Sequence, residues 1–199
     1  MSIYRAIFFD ADGVLIRAPK LFSAVYEERV GMEKGHLQPF FVGDFQAALA
    51  GKADLKELIV KNRDLWQWAK NPQILLDDWF VTENCPDRAL LTLVKQRRAA
   101  GRMVCMATSQ EAYRARYLRE VMFPGLFDKY FISSELGCTK NDPHFFELAL
   151  QQLKLKLPDL RPEEIVYFDD SQDHLDSAAQ LGIVTCLYRE LEDATKVLH

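Results

Sequence analysis

Asp10 and Asp12 stand two residues apart at the end of an apolar run, with Gly13 directly after them. Two carboxylates this close repel each other unless a cation or a proton sits between them. Other short apolar runs end in a similar way. Residues 103–107 lead into Thr108 and Ser109, and residues 165–168 lead into Asp169 and Asp170, with Ser171 and Asp173 beyond. After the run 130–132 comes Lys140, inside the stretch GCTKNDP. Brought together, these residues would offer several carboxylates, two hydroxyls and an ammonium. Hard oxygen ligands with no His or Cys among them favour Mg2+. Magnesium held by a few carboxylates usually serves a phosphate substrate. A calcium loop is excluded, because it needs acids at alternate positions before the glycine, and Phe8 stands two residues before Asp10.

Something must hold these residues at one rim. Residues 3–9 are apolar almost throughout, as in a strand covered on both faces, and the runs 103–107, 130–132, 165–168 and 183–187 are similar. Helical patterns lie between them. Residues 88–100 follow Pro86 and stop at Gly101; residues 143–153 and 173–181 are amphipathic, the second ending at Gly182. Strands alternating with helices predict an α/β fold with a Rossmann-like parallel sheet, whose ligands bind at the carboxyl ends of the strands.

Residues 19–85 break the alternation and hold no strand pattern. Helices are predicted over 21–30, 44–50, 55–68 (Asp54 as N-cap, Glu57 behind it) and 72–81. The expected organisation is therefore a core of residues 1–18 and 86–199, with a small helical module at 19–85 inserted into it.

The chain's 199 residues are 49% hydrophobic, enough for one substantial core and a small second lobe. Basic residues number 25 against 29 acidic, so nothing points to nucleic acid. The apolar runs are too short for a membrane span, and no secretory leader is expected. Cys85, Cys105, Cys138 and Cys186 form no CxxC pair and read as reduced thiols. A cytoplasmic protein, a monomer or weak homodimer with a small-molecule partner, is expected.

The four groups of polar residues, in this order, resemble the motifs of the haloacid dehalogenase superfamily. Asp10-Ala11-Asp12-Gly13-Val14-Leu15 is similar to the first motif, Thr108 to the second, Lys140 in Lys-Asn-Asp-Pro to the third, and Asp169-Asp170-Ser171-Gln172-Asp173 to the fourth. The insertion sits where phosphatases of subfamily IA carry a C1-type helical cap. The resemblance implies Asp10 as nucleophile, forming a phosphoaspartyl intermediate, and Asp12 as general acid and base. It implies phosphate binding by Thr108, Ser109 and Lys140. It also implies Mg2+ on Asp10, on the backbone carbonyl of Asp12 and on Asp170, with Asp169 beside the metal or on it. Dehalogenase members lack the second Asp, so Asp12 argues for phosphoryl chemistry. Ser109 and Asp173 depart from the pattern, since the family often has Asn at both places.

The implied activity is hydrolysis of a small phosphate monoester. The short cap and the FDDS ending are similar to those of bacterial sugar-phosphate phosphatases. The alternatives are a phosphomutase of the β-phosphoglucomutase type and a non-catalytic binding or regulatory module. His36, His144, His174 and His199 show no metal spacing and read as structural or exposed. Phe40, Phe41, Phe45, Trp66, Trp68 and Trp79 read mainly as interior of the insertion, with one or two of them expected to face the site. Residues 40–52 are the expected substrate-selecting stretch, with Gly43 and Gly51 around an aromatic and Asp44; Lys52 at its end reads as a solvated lysine before it reads as a substrate contact.

Overall fold

The computed structural model describes residues 4–198. Five parallel strands form one sheet in the order β3-β2-β1-β4-β5, with β1 Ala6–Phe9, β2 Met103–Thr108, β3 Lys129–Ile132, β4 Ile165–Asp169 and β5 Val184–Leu187. The first strand is shorter than expected, beginning after Tyr4 and Arg5, and Ile3 lies outside the described residues. Strands β2 and β4 instead run one residue further than the apolar pattern, so that Thr108 and Asp169 are their last members.

The sheet is apolar on both faces, as a parallel sheet between helices must be. Ile7 and Phe9 face one layer, with α7 (Arg88–Ala99) and α12 (Leu191–Leu198) against them. Ala6 and Phe8 face the other, against α10 (Pro143–Lys154) and α11 (Gln172–Ala179). Phe9 stacks on Phe168 at 5.3 Å, and Phe8 meets Phe131 at 5.3 Å on the opposite face. Burying each such ring contributes about 1.5–3 kcal/mol. The chain adds strands on one side of β1 as far as β3, then crosses to β4 on the other side. The crevice outside the carboxyl ends of β1 and β4 is thus the switch point where ligands bind in open α/β sheets.

Between β1 and α7 the chain forms α1 (Phe22–Val30), α2 (Gln38–Val42), α3 (Asp44–Leu49), α4 (Leu55–Lys61), α5 (Arg63–Trp66) and α6 (Pro72–Thr82). These six close around an aromatic interior of their own, in which Trp66 lies against Tyr26 and Phe40. The single helix expected over 55–68 is two. Asn62 donates its side-chain amide to Leu58 and to Asp44, and this local bonding competes with helix propagation at that point. Asp54 caps α4 as expected.

The way out of the sheet and the way back run side by side. Arg17 N–H donates to Cys85 C=O (2.8 Å), Asp87 N–H donates to Leu15 C=O (2.9 Å), and Ile16 bridges to Pro86 antiparallel. The core segment after β2 forms α8 (Ala112–Tyr117), runs on into a π-helical turn at Leu118–Met122, and β3 is followed by the short α9 (Ser133–Leu136). None of these was signalled by the apolar periodicity. Among the described residues, no helix is long and apolar enough to cross a membrane. The four cysteines are free thiols.

Candidate active site

Asp10 follows β1 directly and is 5% exposed. Its Oδ1 accepts from the Ala11 amide at 2.7 Å and lies 2.7 Å from Lys140 Nζ. Lys140 arrives from the loop before α10, with its ammonium buried among carboxylates. The same ammonium is 2.6 Å from Asp169 Oδ2. Burial works against the Lys140 charge, but the two acids outweigh it, and its pKa is raised. Burial pushes the Asp10 carboxyl up to about 7, although Lys140 pulls the other way.

Asp169 is fully buried and fully engaged. It accepts from Lys140, Tyr167 Oη, the Ser171 amide (2.8 Å) and the ring of His174 (3.1 Å). Burial opposes its ionisation, yet the donors from His174, Lys140 and Tyr167 hold it below the usual carboxylate range. Oxygens of Asp10 and Asp169 and a nitrogen of His174 lie within 4.8 Å of one another, a grouping of metal-holding size. Lys140 already places a cation between the two acids, however. His174 was expected to be structural or exposed; it stands in the first turn of α11, half-buried against Asp169. The turn from β4 into α11 makes that contact. His36 lies against the Leu65 carbonyl within the helical layer, His144 pairs with Glu147 at the surface, and His199 lies outside the described residues.

Asp170 points elsewhere. Gly13 has φ +82°, and a Cβ there would collide with the Asp170 carboxylate. The glycine thus serves both a left-handed turn and the close approach of an acid. No ion pair to Asp170 is found among the described residues. Burial raises its pKa, with Asp169 adding to the effect. Asp10, Asp169 and Asp170 together set three carboxylates against one ammonium. That donor set, with Asp170 open beside the Asp10–Gly13 turn, fits one further hard cation.

Asp12 faces the cavity and is less buried. Gln110 Nε2 donates to its Oδ2 at 2.5 Å, and Arg114 Nη2 lies 3.7 Å from its Oδ1. Thr108 is buried at the end of β2, while the Ser109 hydroxyl accepts from the Lys140 amide at 3.1 Å and ties two loops together. The structure therefore brings Asp10, Asp12, Thr108, Ser109, Lys140 and Asp170 to one cavity of about 860 Å³. Asp169 lies behind it. Asp173, by contrast, is exposed and does not line the cavity.

The cavity extends under the helical layer. Phe41, Phe45, Leu49, Trp79 and Phe80 wall its far side. Three of the aromatics read as interior, Phe41, Phe45 and Trp79, therefore also face the site. Lys52 and Asp44 do not line it: Lys52 is exposed, in agreement with its reading as a solvated lysine, and Asp44 is turned away from the site and held by Lys61 and Asn62. Among the cavity residues that carry no sequence signal are Glu83, Gln110 and Arg114. Gln110 and Arg114 meet Asp12 only through the fold, and Glu83 lies beside Arg114.

The sequence of residues 4–182 matches the model of the haloacid dehalogenase-like hydrolase family. The chain is 28% identical, over 98% of its length, to bifunctional epoxide hydrolase 2 of Sus scrofa, and 25% identical, again over 98%, to acyl-CoA dehydrogenase family member 10 of Mus musculus. It spans only 38% and 19% of those two relatives. In fold it is similar to a HAD family enzyme of Bacteroides thetaiotaomicron crystallised with magnesium, at TM-score 0.81 and 19% identity, with 98% of each chain covered. The same bacterial enzyme has been crystallised with magnesium and inorganic phosphate, and superposes at TM-score 0.78, with 18% identity, 98% of this chain and all of that one covered.

Proposed function

Since this chain belongs to the haloacid dehalogenase-like hydrolases, we propose that it is a Mg2+-dependent phosphatase of small phosphate monoesters, working through a phosphoaspartyl intermediate. One observation carries the reading. A buried carboxylate, Asp10, is held against an ammonium at the sheet's switch point, with a second, more open carboxylate, Asp12, two residues on and facing the cavity.

Asp10 attacks phosphorus as the ester P–O bond breaks, and Asp12 gives its proton to the departing alcohol. A water then attacks the phosphoaspartate, gives a proton to Asp12, and releases inorganic phosphate and Asp10. Lys140 and the Thr108 hydroxyl hold the phosphoryl oxygens, and Ser109 keeps Lys140's loop in place. The carboxylates of Asp10 and Asp170 and the backbone carbonyl of Asp12 would hold the magnesium, with Asp169 supporting from behind. Bound there, magnesium would offset repulsion between Asp10 and the phosphate and stabilise the charge developing on its oxygens.

Residues 19–85 act as a cap. Their helices roof the cavity, which leaves room for a metabolite and not for a macromolecule. The aromatic wall suits the ring face of a sugar phosphate. The similar enzyme bound to magnesium and inorganic phosphate supports the same site chemistry. The test is a phosphate-release screen over metabolite phosphates, with magnesium and with excess chelator. Release of inorganic phosphate from several esters, abolished by chelator, is expected. Isomerised phosphate esters without phosphate release would mark a mutase, and no turnover of any ester a binding module.

A further inference from the structure

We propose that Arg114 is a positioning residue that ties the seating of the helical cap to the placement of the Asp12 carboxylate. The inference rests on the reading of Asp12 as acid and base given above. Arg114 belongs to the core, on α8, and only 3% of its side chain is exposed. Its contacts go both ways. Nη1 donates to the Phe80 carbonyl of α6 at 3.2 Å, and the guanidinium lies 5.3 Å from the Phe80 ring and 5.7 Å from that of Tyr117. Nη2 is 3.7 Å from Asp12 Oδ1 and 3.7 Å from Glu83 Oε2.

Nη2 is sealed from solvent and has no hydrogen-bond partner. The groups nearest it are the two acids, and it acts through them. A separation of 3.7 Å is too long for a hydrogen bond, so the cation is committed to neither acid. Glu83 is fixed to the cap, accepting from the Phe22 amide at 2.7 Å and from the Trp79 indole at 2.9 Å. Asp12 is fixed to the core, with its other oxygen taken by Gln110. One buried cation thus stands between an acid that moves with the cap and an acid at the reaction centre. A cap displaced from its seat carries Glu83 and the Phe80 carbonyl away, and Arg114 loses the contacts that hold it against Asp12. Proton transfer depends on that placement, and attack by Asp10 does not.

The test separates the two. Arg114→Met and Arg114→Lys would be assayed with p-nitrophenyl phosphate, whose leaving group departs without a proton, and with n-propyl phosphate, whose alkoxide needs one. Arg114→Met should lower kcat/KM on the propyl ester by about 30-fold or more, and on the aryl ester by less than about threefold. Arg114→Lys should restore much of the propyl activity. Equal losses on both esters would overturn the proposal, because a merely structural residue would depress both alike. Should Arg114→Met not fold, Glu83→Gln must show the same split, and an equal loss there is equally fatal.

Hydrogen–deuterium exchange reads the coupling without activity. In Arg114→Met, or in Glu83→Gln should that variant not fold, segments 10–16 and 80–86 should both exchange faster while 103–108 is unchanged, and Arg114→Lys should stay near wild type; a change in one segment alone overturns the coupling. A wild-type protein that hydrolyses neither ester would instead sink the phosphatase reading, and the exchange result would still decide whether cap and Asp12 are tied.

Discussion

Lys140 Nζ lies 2.6 Å from Asp169 Oδ2, in a place where neither side chain is more than 1% exposed. Asp10 shares the same ammonium at 2.7 Å. Lys140→Met would leave two buried carboxylates without their cation. Breaking a buried pair from one side costs about 3–5 kcal/mol. Denaturant titration in the absence of metal should show a loss of that order, and a loss below about 1 kcal/mol would mean that the pair is far better solvated than its burial indicates.

Asp10→Asn should abolish turnover, because an amide is no nucleophile. More than about a tenth of wild-type kcat, under ~1.4 kcal/mol of barrier, would rule Asp10 out. The same substitution should not lower the melting temperature at pH 8 without metal. Burial disfavours the Asp10 charge, and Lys140 keeps Asp169 as a partner.

Gly13→Ala should cost metal affinity as well as stability. The added Cβ would take the space of the Asp170 carboxylate, at a positive φ that an L side chain rarely adopts. The magnesium concentration for half-maximal phosphate release should rise at least about tenfold, ~1.4 kcal/mol of binding. An unchanged magnesium dependence would remove Asp170 from the metal site.

Phe45→Ala and Leu49→Ala should reorder kcat/KM among four or five phosphate esters, since discrimination is differential transition-state binding. Lys52→Ala should leave the order unchanged, because Lys52 lies outside the cavity. Equal losses on every ester for the first two variants would show that this wall selects nothing.

Glu111 caps α8 and is 2% exposed. Burial pushes its carboxyl from 4.5 up to about 7. The folded state therefore binds the proton more tightly than the unfolded chain does. The stability this confers is complete below about pH 4.5 and lost as pH rises through about 7. Glu111→Gln should shrink the fall in unfolding free energy between pH 5 and 8 by up to roughly 3 kcal/mol. An identical pH profile for variant and wild type would contradict the assignment.

The residues at the carboxyl edge are legible in the sequence because each stands within a few positions of a strand end. Asp10 and Asp12, Thr108, and the pair Asp169–Asp170 announce themselves by where an apolar run stops. The sheet is legible for the same reason, since its two-faced burial requires apolar runs. Gln110 and Arg114 are not legible. Gln110 meets Asp12 across 98 positions, and nothing local distinguishes it from a solvated glutamine. The break at Asn62 is hidden in another way: the periodicity of residues 55–68 continues through it, and one of the two side-chain bonds made there, Asn62 to Asp44, needs α3 in place. The amphipathic α12, with Ala194 and Leu198 buried, follows a readable pattern but comes after the last strand, where no motif calls for it.

The paired connections at Leu15–Asp87 and Arg17–Cys85 make the helical layer a detour that begins and ends at one point. Ile16 and Pro86 already face each other as the closing pair of a hairpin would. A two-residue turn could join them and leave the sheet's hydrogen bonds intact. The roof over the site is in this sense a cassette: its length and sequence can be exchanged whole, while the registers of β1, β2 and β4 are untouched. A lineage can change what such a protein accepts without redrawing how it reacts.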